Sequence, residues 1–388
     1  MSKACIVGVG ETDYRRWGGI KDRNEFQLAC EAIGRAAADC GLPVSRIDGY
    51  ATFADSVIHA GILQLALGAP RMRFASTVWS GRGGASCGAL AHAKMAVESG
   101  QAEYVAVVRS ICQGQTQRYG QYKGERAYSD LTAPFGLLSP AQSIGLVLQR
   151  YAYEYGIEEL PMAEIALICR DNAQRNPRAV MHGKPLTLEA YLASRLIADP
   201  LRLFDCCLET DGACALIVTT RERARNLKRK SVEILAAVNG SGPAWGAGIL
   251  GSHNMPAEGF VTGNQRELAA DLYGMSGLKP ADVDTAQFYD HFSGMVFIAL
   301  EDFGFCESGA GPSYATEGHL RWPDGRMPMN TAGGSLSEAY VHGLNHVIEG
   351  VRQLRGESTS QVKGAQVCLV TGGSGVAPSS AALLGIGA

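Results

Sequence analysis

The sequence of 388 residues lacks several features that would place it quickly in a functional class. It has no run of 18 or more apolar residues, so we expect no membrane-spanning helix. Its 35 basic and 38 acidic residues give a net charge of −3, and its longest basic stretch is 221–230, which argues against a nucleic-acid binder. The chain enters a strand-like segment at residues 4–10 without the pattern of a signal peptide, so we expect a cytoplasmic protein.

Cysteine is present but shows no metal or disulfide pattern. None of the eleven cysteines forms a CxxC pair, and most lie within apolar runs. Such thiols behave as small buried hydrophobic groups in a reducing compartment. The sequence therefore predicts no zinc cluster and no other metal site.

Apolar residues make up 46% of the chain, which is enough for a large buried core. The 48 glycines are scattered at turns and helix starts without a repeat period, so a collagen-like or low-complexity protein is excluded. Strand-like and helix-like segments alternate along the chain. The composition and the pattern together predict an α/β protein.

Two segments of the chain repeat later in the sequence. The segment 29–53 reads as a helix, a Gly-Leu stop, an acidic turn and a strand, and the segment 268–288 reads in the same way at an offset of 236. Two glycines at 83–84 precede a predicted helix over 85–99, and two glycines at 333–334 precede one over 335–349. Because both matches occur in the same order, we predict two duplicated halves with a pseudo-twofold relation.

The repeat also predicts the domain organisation. The N-terminal half covers 1–230 and the C-terminal half covers 231–388. An insertion at about 113–200 has no counterpart in the second half, and we expect it to carry helices at about 140–156 and 162–176 and to cover the site.

Several motifs in this order resemble the thiolase superfamily, and in particular its sterol-carrier-protein-x and lipid-transfer-protein branch. They are the run 194–206 (SRLIADPLRLFDC), the sequence TDGA at 210–213, YDHFS at 289–293 and NTAGG at 330–334. The resemblance covers essentially the whole chain. It implies a five-layered α/β/α/β/α sandwich of two duplicated halves with an inserted loop domain, and a homodimer.

The residues of thiolase chemistry are replaced in this sequence. The position of the nucleophilic cysteine is Gly83, the histidine of the Gly-His-Pro motif is Tyr340, and the second-half His or Asn is Tyr289. The position of the acid/base cysteine is Leu369, with Cys368 one place away. Covalent acyl transfer requires an activated thiolate and a base, and both are missing where they are expected.

Two tyrosines stand at these positions instead. A phenol has a pKa near 10, so Tyr289 and Tyr340 can donate hydrogen bonds, stabilise an enolate and exchange protons with a β-hydroxyl group. The sequence is similar to the thiolase-like aldolases of bacterial steroid side-chain degradation. This resemblance implies a carbon–carbon lyase that cleaves a steroid β-hydroxyacyl-CoA to a ketone or aldehyde plus propionyl-CoA or acetyl-CoA. It also implies a partner with an OB-fold and a zinc ribbon (the DUF35 type), in a heterotetramer with the homodimer.

Further residues are predicted around the two tyrosines. Asp290 and His291 are weaker catalytic candidates, and the missing side chain at Gly83 opens room for a bulkier acyl group. We expect Tyr340 on a buried helix face, with His342 and His346 on the opposite face, which is solvated or part of an interface. No cofactor is expected to bind tightly, because coenzyme A is part of the substrate. The candidate substrate-binding residues are Gly83, Gly84, Asn330, Gly333, Gly334, Gly372 and Gly373, and the candidate partners of the CoA phosphates are Arg118, Lys123 and Arg126.

Two other functions remain open on the sequence alone. A degenerate thiolase could still transfer acyl groups through Cys87 or Cys368. A thiolase-fold protein without activity could serve as a lipid-binding subunit of a larger complex.

Overall fold

The structure is a computed structural model that describes residues 3–54, 56–79, 82–115, 133–156, 159–245 and 257–386. Its strands are β1 (Ala4–Glu11), β2 (Arg15–Arg16), β3 (Gly49–Phe53), β4 (Phe74–Val78), β5 (Val105–Ile111), β6 (Leu196–Ala198), β7 (Leu201–Arg202), β8 (Thr210–Thr220), β9 (Val232–Gly240), β10 (Thr285–Gln287), β11 (Val367–Gly372) and β12 (Ser379–Ile386). Its helices are α1 (Glu25–Cys40), α2 (Ala60–Ala66), α3 (Ser86–Glu98), α4 (Pro140–Tyr155), α5 (Glu159–Arg175), α6 (Leu188–Leu192), α7 (Arg221–Ala224), α8 (Arg266–Ser276), α9 (Gly294–Asp302), α10 (Gly311–Thr316), α11 (Gly334–Ser337) and α12 (Leu344–Arg355).

The strands form a continuous hydrogen-bonded path in the order β10-β11-β12-β9-β1-β8-β5-β3-β4. The order β1-β8-β5-β3 of the first half is repeated as β9-β12-β11-β10 in the second half. The two halves meet at β1 and β9, where Cys5 pairs with Glu233 and Ile6 pairs with Val232. The sheet topology therefore shows the predicted duplication.

The repeat extends to local hydrogen bonds. Helices α1 and α8 both end at a glycine with φ of +72°. After a short 3-10 turn, the Asp48 carboxylate accepts the backbone N–H of Tyr104, which directly precedes β5, at 2.9 Å. Asp284, at an offset of 236, accepts the N–H of Val367, at the start of β11, also at 2.9 Å. Each half thus uses an equivalent aspartate carboxylate to fix the start of the neighbouring strand.

Strands of the first half (β1, β8, β5, β3 and β4) and of the second half (β9, β12, β11 and β10) each form one half-sheet. Helices lie on both sides of each half-sheet. Helix α1 packs on β1, β8 and β5, whereas α8 packs on β9 and β12. Helices α3 and α12 lie between the half-sheets, and their buried side chains share one apolar core with strands of both halves. This arrangement confirms the predicted five-layered sandwich.

The predicted helix over 335–349 is wrong. The chain forms the single turn of α11, leaves the helical conformation at 338–343, and begins α12 at Leu344. Gly343 takes a φ of +83° and His342 a φ of +50°, and neither value is compatible with a right-handed helix. The predicted helix over 85–99 is confirmed as α3, and those at 140–156 and 162–176 correspond to α4 and α5. The division at residue 230 stays a prediction.

Candidate active site

The hydroxyl groups of Tyr289 and Tyr340 lie 2.8 Å apart, within hydrogen-bonding distance. Tyr289 follows β10 and is 3% exposed. Tyr340 lies in the loop 338–343, not on a helix face as expected, and its side chain is half-buried. The second half of the fold therefore presents two phenols side by side, one enclosed and one partly open to solvent.

The Tyr289 hydroxyl fills the space that a side chain at position 83 would need. A Cβ atom built on Gly83 would lie 1.8 Å from the Tyr289 hydroxyl oxygen and 2.2 Å from its Cζ atom. Position 83 is where the resemblance places the thiolase nucleophile. The expectation that the missing side chain leaves room for a larger acyl group is therefore wrong, because the tyrosine occupies that room.

The backbone of Tyr289 is fixed by β11. Its N–H donates to the Thr371 hydroxyl at 2.9 Å. The His291 ring lies with its centroid 4.9 Å from that of Tyr289, and its Nδ1 atom is 3.3 Å from the Tyr289 carbonyl oxygen. Burial lowers the pKa of His291 to about 4, so this imidazole is neutral at pH 7.

The backbone of Tyr340 is fixed by the first half of the molecule. The Thr210 hydroxyl, at the start of β8, accepts the Tyr340 N–H at 2.9 Å and donates to the Tyr340 carbonyl at 3.0 Å. One threonine thus satisfies both backbone groups of this residue. Thr210 is the first residue of the TDGA motif, whose place in the sequence pointed to the family but not to this contact.

Asp290 holds helix α11 in place. Its carboxylate accepts the N–H groups of Ser335 at 2.7 Å and Leu336 at 3.2 Å. Gly334 has a φ of +61°, and a Cβ atom there would lie 2.2 Å from the Asp290 carboxylate. These contacts give both residues a structural role beside the tyrosines.

Asn330 and Gly333 shape the turn that precedes α11. The Asn330 side-chain amide donates to the Phe288 carbonyl at 3.1 Å, and the Gly333 N–H donates to the Asn330 carbonyl at 2.8 Å. Asn330 has a φ of +43°, a conformation that asparagine tolerates better than most residues. Binding of substrate by these two residues stays a prediction.

The glycine pairs at 83–84 and 372–373 pack against each other. A Cβ atom on Gly373 would lie 2.3 Å from the Gly84 Cα atom, and one on Gly372 would lie 2.6 Å from the Ser86 hydroxyl. Both pairs therefore allow backbones of the two halves to approach closely. Their predicted role in substrate binding is untested by this geometry.

His342 and His346 are buried within the chain itself, so the expectation of a solvated or interface face is wrong. The Nε2 atom of His346 is 3.0 Å from the Ser335 hydroxyl, and burial lowers the pKa of this imidazole. His342 accepts a hydrogen bond at Nδ1 from the Arg109 guanidinium at 3.1 Å. Both were misplaced because an unbroken helix was assumed, and Arg109 was missed because nothing in its strand sequence marks it.

The two cysteines proposed for a degenerate thiolase are poorly suited to nucleophilic attack. Burial raises the pKa of Cys87 to about 12, and its thiol donates to the Val370 carbonyl at 3.6 Å. Burial also raises the pKa of Cys368 well above its ordinary value. Because the thiolate is the nucleophile, neither side chain is activated.

Arg118, Lys123 and Arg126 lie outside the described residues. Within the described ranges, no group of three or more His, Cys, Asp or Glu side chains is placed to hold a metal ion. Among the helices of those ranges, none combines the length and the apolar character needed to cross a membrane.

Comparisons with known proteins extend over the whole chain. The family model described as "Thiolase C-terminal domain-like" matches residues 252–385. The 17-hydroxy-3-oxo-4-pregnene-20-carboxyl-CoA lyase of Mycobacterium tuberculosis is 40% identical over 99% of this chain and 99% of its own. The steroid side-chain-cleaving aldolase of Thermomonospora curvata is 39% identical over 98% of this chain and 97% of its own.

A solved structure also resembles this chain over nearly its full length. It is described as an Ltp2-ChsH2(DUF35) aldolase, with a TM-score of 0.91 and 37% sequence identity, and the match covers 99% of this chain and 98% of that chain.

Proposed function

Because the chain belongs to the thiolase superfamily, in the branch of the steroid side-chain-cleaving aldolases, we propose that it is a carbon–carbon lyase acting on a steroid β-hydroxyacyl-CoA. The reaction is a retro-aldol cleavage that releases a ketone or aldehyde and propionyl-CoA or acetyl-CoA. The names of the two relatives that match nearly the full chain support the substrate class and the reaction.

The observation that carries the proposal is the tyrosine pair at the position of the lost nucleophile. The two hydroxyls are 2.8 Å apart, and the Tyr289 hydroxyl occupies the side-chain space of Gly83. A retro-aldol cleavage needs one group to take a proton from the β-hydroxyl and one to return a proton to the α-carbon. It needs no acyl-enzyme, which agrees with the inactive environment of Cys87.

The hydrogen bond between the hydroxyls allows a balanced proton relay. As the carbon–carbon bond breaks, Tyr340 takes the proton of the β-hydroxyl and passes its own proton to Tyr289. Tyr289 donates its proton to the α-carbon, where the electrons of the broken bond have formed the thioester enolate. Neither phenol has to be ionised beforehand, which matters because a neutral phenol is a weak base.

His291 supports the proton relay by packing against the ring of Tyr289. Burial lowers the pKa of His291 to about 4, which makes this imidazole a weak proton acceptor at neutral pH. Its ring contacts Tyr289, and no described contact of His291 reaches Tyr340. We therefore assign His291 to holding the Tyr289 ring and leave proton transfer to the two phenols.

The CoA part of the substrate is assigned to the inserted region. Arg118, Lys123 and Arg126 supply cations suited to phosphates, and no tightly bound cofactor is part of the proposal. Replacing all three by alanine should raise KM for the thioester while leaving kcat nearly unchanged. Measuring KM with the CoA ester and with a short pantetheine ester separates this effect from a general loss of binding.

Two protein partners complete the proposal. An OB-fold and zinc-ribbon protein of the DUF35 type is supported by the name of the solved aldolase. A homodimer is supported by β4, the last strand of the sheet order, and by nearby exposed apolar residues such as Trp79 and Leu65. We place the enzyme in the cytoplasm, because all eleven cysteines are free thiols.

The test is a cleavage assay on a 17-hydroxy steroid side-chain CoA thioester, with the chain alone and with a DUF35-type partner. We expect release of propionyl-CoA and the steroid ketone by the wild type. Tyr289→Phe and Tyr340→Phe should each lose roughly 10²–10⁴-fold in kcat if the hydroxyls transfer protons.

Tyr50→Phe is the matched control, since Tyr50 is buried and its hydroxyl has no partner among the described residues. It should keep wild-type activity. Acyl label trapped on a cysteine, together with no cleavage, would replace the proposal by the degenerate thiolase. Neither cleavage nor label under any condition would leave a non-catalytic subunit.

A further inference from the structure

A buried arginine of the first half contacts the loop that carries Tyr340. Arg109 lies on β5 and is 2% exposed, although arginine is rarely buried to this extent. Its Nη1 atom donates to the Phe53 carbonyl at 3.2 Å, and its guanidinium lies 5.7 Å from the centre of the Phe53 ring. The guanidinium is therefore anchored to the neighbouring strand β3.

The same guanidinium fixes the chemical state of His342. Its Nε atom donates to His342 Nδ1 at 3.1 Å. An arginine keeps all its protons in a protein, so Nδ1 of His342 must be the unprotonated nitrogen of the ring. The imidazole is thereby held as the neutral tautomer with its proton on Nε2.

His342 in turn contacts Tyr340. The ring centroids are 5.1 Å apart and the ring planes meet at 82°, an edge-to-face arrangement. His342 also has a φ of +50°, which is unusual for a residue other than glycine and costs free energy. A strained, fully buried residue is retained when neighbouring contacts determine its conformation, and Arg109 supplies such a contact.

We propose that Arg109 and His342 are positioning residues that hold the Tyr340 ring against the Tyr289 hydroxyl. This assignment rests on the proposed function, in which the two tyrosine hydroxyls transfer protons. Thr210 fixes the Tyr340 backbone, whereas Arg109 acts on the ring through His342. Thr210 and Arg109 both belong to the first half, so contacts from the first half hold the loop 338–343 of the second half in place.

The kinetic test uses a double-mutant cycle. Arg109→Gln should lower kcat by about tenfold to a hundredfold with KM changed little, as expected for a small misplacement of a reacting group. In the Tyr340→Phe background the same substitution should cost less than about twofold, because its effect passes through the missing hydroxyl. An equal loss in both backgrounds, or a change confined to KM, would overturn the proposal.

A second variant separates positioning from folding. His342→Asn keeps an acceptor for Arg109 and suits a positive φ, but it removes the ring that packs on Tyr340. It should fold like the wild type and still lose about tenfold or more in kcat. The matched control is His92→Asn on α3, at the corresponding position of the first-half repeat, which should keep full activity.

A measurement without turnover keeps this inference separate from the proposed function. In 15N spectra of histidine-labelled protein at neutral pH, His342 should show the neutral tautomer with the proton on Nε2. In 13C spectra of tyrosine-labelled protein, Arg109→Gln should shift the Tyr340 resonance, assigned with Tyr340→Phe. A His342 ring with its proton on Nδ1, or an unmoved Tyr340 resonance, would refute the positioning role even in a protein without lyase activity.

Discussion

The two glycine-initiated segments of the repeat, 83–98 and 333–355, begin alike and then diverge. The first continues as the unbroken helix α3, which is buried between the half-sheets. The second opens after one turn into the loop 338–343, which carries Tyr340, and resumes as α12. One copy therefore supports the core, and the other uses the same framework to place a phenol. The difference shows that the two halves can keep the same framework while the local backbone path differs between them.

Adding a side chain at position 83 should cause the largest loss of lyase activity. In Gly83→Cys the Cβ atom would lie 1.8 Å from the Tyr289 hydroxyl oxygen, so the phenol must move. We expect lyase activity to fall by about a hundredfold or more, because the reacting group is misplaced. Cleavage and thiolysis assays on the same preparation measure the effect.

No thiolase activity should replace the lost cleavage, since the other thiolase residues are Tyr289, Tyr340 and Leu369 here. Gly34→Ala, in the middle of α1 with no atom near its Cβ position, is the control and should gain up to about 1 kcal/mol of stability. Full cleavage by Gly83→Cys would show that the hydroxyl is not required in that space.

A pair of reciprocal substitutions compares the two segments directly. Gly343, where φ is +83°, corresponds to Ala93 in the first segment. Gly343→Ala should cost about 1–2 kcal/mol from the left-handed conformation. It should also cost about tenfold in activity, because its Cβ atom would lie 3.0 Å from the Tyr289 ring.

Ala93→Gly should cost about 1 kcal/mol of stability as a glycine inside a helix, with activity unchanged. Urea unfolding and steady-state rates measure both variants. Equal activity losses in the two variants would contradict the assignment of separate roles.

A smaller effect is expected from the histidine beside Tyr289. The pKa of His291 is about 4 when folded and near 6.5 when unfolded, so the unfolded chain binds more protons between these values. This group therefore lowers stability as the pH falls from about 6.5 to 4 and contributes no such loss above that range.

His291→Asn keeps a donor toward the Tyr289 carbonyl and cannot be protonated. It should remove about 1–3 kcal/mol of the acid-induced loss. Comparing unfolding free energies of the two proteins at pH 4.5 and 7.5 isolates this contribution. Parallel pH curves would mean that His291 is not desolvated in the folded state.

The sequence predicted the fold well because its signals are local and repeated. Glycine stops, the acidic turns before β3 and β10, and the apolar strands recur in the same order in both halves, and Asp48 and Asp284 make equivalent backbone contacts. The tyrosine pair was predictable because the resemblance supplied both positions. The distance between the hydroxyls was not, since it depends on the packing of two halves.

The wrong predictions for the helix over 335–349 and for the two histidines came from the loop 338–343. Its apolar spacing fits a helix, and the residues that open it act over long distances in the sequence. Thr210 binds the Tyr340 backbone across 130 positions, and Arg109 reaches His342 across 233. A periodic pattern cannot report such contacts, so both the helix and the solvated histidines were wrongly predicted.

The smallest effect should come from Cys87, which lies on the supporting helix α3. Its N–H donates to the Ser380 hydroxyl at 3.1 Å and its thiol to the Val370 carbonyl, so it joins α3 to strands of the second half. Burial holds its pKa near 12, and a thiolate is therefore not available. Cys87→Ala should keep kcat within about twofold and cost about 1 kcal/mol of stability, as a small buried truncation does. Cleavage rates and urea unfolding measure the two quantities. A large loss of kcat with unchanged stability would mean that α3 carries a group needed for the reaction. It would contradict the assignment of a supporting role to the segment with α3 and a catalytic role to the segment with Tyr340.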